Sequence, residues 1–231
     1  MVPPPVIFIT PDIAASVDSA AETAYTVRSN YAEAIQEAGG LPLILPYAAN
    51  NIQRVVALAD GILITGTAPG VEAHPTRRNY EMKLIAHAIH IQKPVLGICY
   101  GMQLIGECLG GLCVQHLPRH NDEKVEHLPK AIPDVLAHRI HVDPYSRLGQ
   151  LLDGEEVIRV NSLHRHALAE KGHFRVAARA LDGVIEAIEG NIPEFCIGVQ
   201  WHPEYRLSNF DEKIFRLFVQ ECAKNKNGMA G

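Results

Sequence analysis

Apolar residues fall into short runs separated by amphipathic stretches. VIFIT (6–10) is a β-branched and aromatic run that predicts a first strand. VRSNYAEAIQEAGG (27–40) spaces its apolar residues at the helical period and closes on a glycine pair, which predicts a helix and its stop. LPLIL and GILIT (61–65) predict strands on either side of a helical NIQRVVALAD. RRNYEMKLIAHAIHIQ (77–92) predicts a helix, and VLGI a strand leading directly into Cys99. Strand and helix alternating at this spacing predict an α/β fold with a mostly parallel central sheet and helices on both faces.

The second half is less regular. From Val114 to Pro144 four prolines and many charges break the periodicity, and the segment is expected to run as a long loop over one edge of the sheet. Extra short strands are predicted at VIRVN, FRVAARA, GVIEAIE and FCIGVQW, then a terminal helix from Phe210 to Ala223. With no repeat, low-complexity tract or linker, residues 1–231 are expected to form a single domain around one core, a size that α/β folds commonly reach undivided.

Charge narrows the partners. A net charge of −5 and an isoelectric point near 6.2, without a Lys/Arg cluster, leave no footprint for nucleic acid or for an anionic membrane. A small soluble molecule is the expected partner. MVPPPVIFIT has no basic region and too short an apolar run for a secretory signal, so a cytoplasmic location is expected. Five cysteines, Cys99, Cys108, Cys113, Cys196 and Cys222, lack C-x-x-C spacing and are expected to be reduced thiols. Twelve histidines include the pairs His116 with His120, His138 with His141 and His87 with His90. None has a close Asp, Glu or Cys partner in sequence, so they are expected to be loop and surface residues with no metal bound. TGTAPG lacks the GK[ST] ending of a phosphate loop, and no G-x-G-x-x-G follows the first strand, so no cofactor is expected.

Two motifs carry chemistry. Gly97-Ile98-Cys99-Tyr100-Gly101 is the thiol counterpart of the G-x-S-x-G elbow, a tight strand-to-helix turn that exposes its central residue at the top of a sheet. The following helix begins there, and its N-terminal N–H groups favour a thiolate. The competing reading is a buried junction with a packing cysteine. GVQWHPEY offers the partner: His202 and Glu204 flank Pro203 at a predicted strand end, where a carboxylate can orient an imidazole that activates a thiol.

With both motifs in this order, the chain resembles the class I glutamine amidotransferase family, which has a flavodoxin-like α/β fold. The resemblance covers nearly the whole chain and is nearest to the gamma-glutamyl-GABA hydrolase-like branch. It rests on YAEAIQEAGGLPLILP, DGILITG, KPVLGICYGMQLIGECLGG, VDPYSRLGQLL, VNSLHRHAL and GVQWHPEY. It implies Cys99 as nucleophile, His202 as general base and then acid, and Glu204 as the residue orienting His202. It also implies backbone oxyanion donors at Tyr100 and Thr67, and substrate contacts from Gln103, Asn161, Ser162 and His164. The expected activity is hydrolysis of the γ-glutamyl amide bond of a γ-glutamyl amine or of glutamine, through a γ-glutamyl thioester on Cys99. Two rivals are a glutaminase subunit delivering ammonia to a separate synthetase, and a non-catalytic γ-glutamyl-binding module. A homodimer through exposed apolar surface is a further expectation.

Four positions depart from the family. Thr67 stands where the second of two loop glycines is usual, and a β-branched residue resists φ > 0, so a misaimed oxyanion donor and altered activity are expected. Tyr100 replaces the arginine common after the nucleophile in this branch and resembles the amidotransferase domain of GMP synthetase. Arg165 and His166 replace a His-Gln pair, and Arg165 is either a displaced anion contact or a solvated side chain.

Overall fold

The computed structural model describes residues 3–15, 22–47, 51–68, 71–115, 125–129, 134–152, 154–155, 157–169, 171–192 and 195–228. Its first half alternates strand and helix. β1 (Val6–Ile9) is followed by a hairpin of β2 (Asp12–Ala15) and β3 (Thr23–Thr26), then by α1 (Ser29–Glu37) and β4 (Leu41–Ile44). Next come α2 (Ile52–Leu58), β5 (Gly61–Ile64), α3 (Pro75–His90), β6 (Val95–Ile98) and α4 (Tyr100–Cys108). The second half holds β7 (Leu112–Gln115), β8 (His138–Val142), β9 (Val157–Val160), β10 (His166–Ala169), β11 (Phe174–Ala180), β12 (Ile185–Gly190), β13 (Cys196–Val199) and α5 (Asn209–Gly228).

Nine strands form the central sheet in the order β4-β1-β5-β6-β13-β12-β11-β8-β9. The pairings from β4 to β13 are parallel, and those from β13 to β9 are antiparallel. Burial explains the split. β5, β6 and β13 are buried at all four positions, as strands covered by helices on both faces must be. β8 instead alternates buried and exposed, the pattern of a strand with one face on the core.

Each face of the sheet has its own apolar layer. Ile7, Ile9, Leu63, Leu96 and Ile98 pack with Tyr31 and Ile35 of α1 and with Ile214, Phe215 and Phe218 of α5. Ile62, Ile64 and Val95 pack on the other face with Val56 of α2, Leu84 and Ile85 of α3, and Met102 and Ile105 of α4. Each fully buried Ile or Leu contributes about 1.5–3 kcal/mol, so these two layers are the main stabilising term. α1 stops where Gly39 takes φ +91 and the Gly40 N–H reaches back to the Ile35 carbonyl. α5 starts at a reciprocal cap: the Asp211 N–H donates to Ser208 Oγ, and the Ser208 N–H donates to Asp211 Oδ2. Among the described residues no helix is long and apolar enough to cross a membrane.

The structure corrects the reading of residues 114–144 as a loop. HRIHV at 138–142 pairs with β11 on one side and β9 on the other, inside the sheet. Its alternation is only five residues long and is hidden by the prolines around it. The β2–β3 hairpin and the β7–β10 pair are likewise beyond the sequence pattern, because four-residue strands carry little periodicity of their own.

Glycines set the depth at which α4 lies on the sheet. A Cβ on Gly97 would fall 2.6 Å from the Gly101 carbonyl carbon, one on Gly198 would fall 2.8 Å from Met102 Cγ, and one on Gly101 would overlap the Ile64 carbonyl. Gly101→Ala is therefore expected to destabilise the protein by about 1–3 kcal/mol, since backbone rather than a movable side chain blocks the methyl group. A urea-unfolding midpoint equal to that of the unsubstituted protein would contradict this.

Candidate active site

Cys99 lies between β6 and α4 with φ 54° and ψ −105°, a conformation that L residues avoid and that costs about 1–3 kcal/mol. Its N–H is tied to the Val199 carbonyl at 2.8 Å, and its carbonyl accepts from the Gln103 N–H at 3.2 Å, so the strain is held from both sides. By helix geometry the first N–H groups of α4, beginning with Tyr100, have no intrahelical acceptor. Cys99, as the residue before α4, stands at the positive end of the helix dipole.

His202 follows β13, and Pro203 starts a single tight turn through Tyr205. The turn brings Glu204 back onto the imidazole: His202 Nδ1 and Glu204 Oε1 are 2.7 Å apart, with both side chains buried. The main chain of His202 is gripped by Asn161, whose Oδ1 accepts from the His202 N–H at 2.9 Å and whose amide donates to the His202 carbonyl at 3.1 Å. Nε2 of His202 has no hydrogen-bond partner among the described residues. Burial alone would lower the His202 pKa, but the Glu204 carboxylate and then Cys99 outweigh it and raise the value to about 10. An imidazolium facing Cys99 is thereby stabilised at neutral pH.

The third wall is the loop after β5. A Cβ on Gly66 would sit 3.0 Å from His202 Cε1 and 3.4 Å from Cys99 Cβ, so glycine is what lets this loop approach both. The Gly66 N–H donates to the Tyr31 hydroxyl at 3.2 Å. Burial and then the charge of Glu204 hold the Tyr31 hydroxyl in its protonated form. Arg77, fully buried on α3, fixes the rest of the loop. Its guanidinium donates to the Thr65 carbonyl at 2.8 Å and the Gly66 carbonyl at 3.2 Å. Glu81 at 3.1 Å and Asp12 at 3.1 Å neutralise it, and it lies 4.9 Å from the centre of the Tyr100 ring. With the Gly66 carbonyl turned to Arg77, the trans peptide points the Thr67 N–H the opposite way. Thr67 takes no positive φ: among the described residues the non-glycine positive-φ positions are Gln92, Cys99 and Arg206.

A cavity of about 270 Å³ opens beside this wall, lined by Arg28, Tyr31, Gly66, Thr67 and His202 among others. Arg28 is exposed at its mouth and donates to the Tyr205 hydroxyl at 3.1 Å. Gln103 is buried and donates to the His166 carbonyl at 3.2 Å and to Gln200 Oε1 at 3.1 Å. Gln200 in turn directs its amide at Cys99 Sγ, 3.5 Å away. Asn161 holds His202, whereas Ser162 and His164 turn toward His127, whose carbonyl accepts from Ser162 Oγ at 2.7 Å and from the His164 N–H at 2.9 Å. Arg165 is exposed on the following turn.

Sequence reasoning missed Gln200, Tyr31, Arg28 and Arg77. Only Gln200 left a local signal, sitting two residues before His202 in GVQWHPEY. The expectation of loop and surface histidines fails for His127 and His138, which are buried, as is His164, the residue expected at the substrate. His87 and His90 lie side by side on α3, and His116 and His120 fall outside the described residues.

Comparison with known proteins places the chain in a family. Residues 5–204 match the peptidase C26 family. The chain is 34% identical to the glutamine amidotransferase-like protein YvdE of Lactococcus lactis, over 86% of this chain and 89% of the relative. It is 31% identical to the gamma-glutamyl-gamma-aminobutyrate hydrolase PuuD of Escherichia coli K12, over 85% and 86%. The fold is similar to that of a GMP synthase subunit from Thermoplasma acidophilum, with a TM-score of 0.71, 18% identity and 98% of each chain covered.

The electrostatics of His202 are open to measurement. Because its folded pKa is raised, the stabilisation it contributes is complete below the ordinary value of 6.5 and is lost as pH rises through about 10. In an NMR titration the imidazole is expected to change charge near 10, and Glu204→Gln is expected to lower that value by about 1–3 pH units. A titration unmoved by Glu204→Gln would show that the carboxylate does not control the imidazole.

Proposed function

The chain belongs to the peptidase C26 family and is a cysteine-dependent hydrolase of the glutamine amidotransferase class, and on that premise we propose that it cleaves γ-glutamyl amides of small molecules at Cys99. The observation that carries the reading is the buried 2.7 Å contact of His202 with Glu204, which leaves Nε2 unbonded beside a cysteine held in a strained elbow. Cys99 Sγ, as thiolate, attacks the γ-carbonyl carbon, and the carbonyl π electrons move to oxygen. The N–H groups of Tyr100 and Thr67 receive that oxyanion. Collapse of the adduct expels the amine, which takes its proton from the His202 imidazolium. Neutral His202 then draws a proton from water as the water attacks the thioester, and glutamate leaves as the thiolate is restored. Glu204 orients the imidazole throughout, and the Gln200 amide supports the sulfur when it carries negative charge. A binding module without turnover is disfavoured by this complete arrangement.

The substrate is a γ-glutamyl amine whose leaving group carries a carboxylate. Arg28 at the cavity mouth offers the guanidinium for it, and the similarity to relatives named gamma-glutamyl-gamma-aminobutyrate hydrolase agrees in substrate class. Purified protein is expected to release glutamate from γ-glutamyl-γ-aminobutyrate, and Cys99→Ala to release none. Arg28→Ala is expected to raise KM about two- to fivefold for amines bearing a carboxylate and to leave KM for glutamine unchanged, the range of an exposed ion pair. No glutamate from any γ-glutamyl amine or from glutamine would overturn the hydrolase reading. An equal change in KM for both substrates would remove Arg28 from the selection of the amine.

A further inference from the structure

A second polar centre lies outside the proposed catalytic machinery. His127 comes from the segment 125–129, His138 opens β8, His164 follows β9, and Glu186 lies on β12. All four are buried, Glu186 completely. One atom from each, His127 Nδ1, His138 Nε2, His164 Nε2 and Glu186 Oε1, meets the others within 4.8 Å. His127 Nδ1 is 3.2 Å from His164 Nε2 and 3.2 Å from Glu186 Oε1, and His138 Nε2 and His164 Nε2 are each 3.5 Å from that oxygen.

The outer nitrogens decide what these inner atoms are. His127 Nε2 faces Asp182 Oδ2 at 2.8 Å, His164 Nδ1 faces the His166 carbonyl at 3.0 Å, and His138 Nδ1 faces the Arg139 carbonyl at 3.3 Å. Carboxylate and carbonyl oxygens only accept, so each outer nitrogen is the one that bears the proton. With the outer proton as its only one, each ring turns a bare nitrogen lone pair toward the point that the Glu186 carboxylate also faces. Four acceptors and no donor repel one another in a dry interior. A single extra proton on His127 Nδ1, shared between His164 Nε2 and Glu186 Oε1 at 3.2 Å each, would still leave His138 Nε2 and Glu186 Oε2 without a hydrogen bond, as they are among the described residues.

We infer that this centre binds one divalent transition-metal ion of the zinc type. Three imidazoles and a carboxylate are a zinc donor set, and donors about 2.0–2.1 Å from a tetrahedral ion lie about 3.3–3.4 Å apart, which matches the four shorter separations. The outer contacts are those that metal-bound histidines make, above all the Asp182 carboxylate behind His127. Four protein donors close the coordination shell, so the ion is structural and takes no part in bond cleavage. Its effect on the proposed active site runs through residues 161–164. His164 is a donor to the ion, and three residues earlier Asn161 grips the main chain of His202 from both sides.

The test uses the full chain in a Cys99→Ala background, which removes the thiol proposed for the active site as a competing ligand. Zinc titration followed by calorimetry and elemental analysis is expected to give one ion per chain, with a thermal midpoint that rises on loading and falls with a chelator. Cobalt(II) in place of zinc is expected to show intense tetrahedral d–d bands and no thiolate charge-transfer band. Asp182→Asn keeps all four donors and is expected to weaken zinc about 10- to 100-fold, and Glu186→Gln to abolish stoichiometric binding. A folded chain that takes up no zinc or cobalt at micromolar concentration would overturn the proposal and leave a proton-bonded cluster. Binding unchanged by both substitutions would place the ion elsewhere and overturn it as well.

Discussion

The close approach of α4 to the sheet is the constraint from which the candidate site follows. Gly97 on β6, its register neighbour Gly198 on β13 and Gly101 on α4 remove the side chains that would hold the layers apart. The helix can then begin immediately above the strand ends. The chain makes the turn in one residue, and that residue, Cys99, takes the strained backbone conformation. The apolar layers on the two faces over-determine this geometry, so the strain persists as local cost within a stable whole. Exposure of a thiol to helix N–H groups is thus a packing result before it is a chemical one.

Around that elbow, charge is placed where burial makes it count. Desolvation works against an imidazolium at His202, and Glu204 at 2.7 Å reverses the sign. Arg77 is paired on opposite sides by Glu81 and Asp12, and its remaining donors hold the Thr65 and Gly66 carbonyls. The buried cation therefore shapes a loop without facing the cavity as a free charge. Trp201 adds the last brace: its indole N–H donates to Asp211 at 3.1 Å, and its ring stacks on Phe210, locking the segment before His202 to the start of α5.

Much of the parallel half was legible, because VIFIT, GILIT and VLGI are apolar runs of strand length and the helices between them keep a 3.6 period. The elbow and HPE were legible for a different reason, since each is a local string whose residues meet through the turn they form. What escaped is what depends on distant segments. Arg28 and Tyr31 come from the start of α1 and Arg77 from α3, and nothing in their neighbourhoods marks them. The same holds for His127, His138, His164 and Glu186, whose spacing has no motif and whose convergence is made by β8, β9 and β12 crossing one region. At Thr67 the β-branched side chain raised the question of where the N–H is aimed; the residue takes no positive φ, and the Gly66 carbonyl before it is clamped at Arg77.

The central claim is that Cys99 carries the glutamyl group during turnover. Protein mixed with γ-glutamyl-γ-aminobutyrate, quenched in acid within the first turnovers and digested, can be weighed peptide by peptide. The account predicts a transient gain of one glutamyl residue on the peptide containing Cys99, absent in Cys99→Ala and discharged on longer incubation. Turnover with no adduct on that peptide, or an adduct on another cysteine, would contradict it.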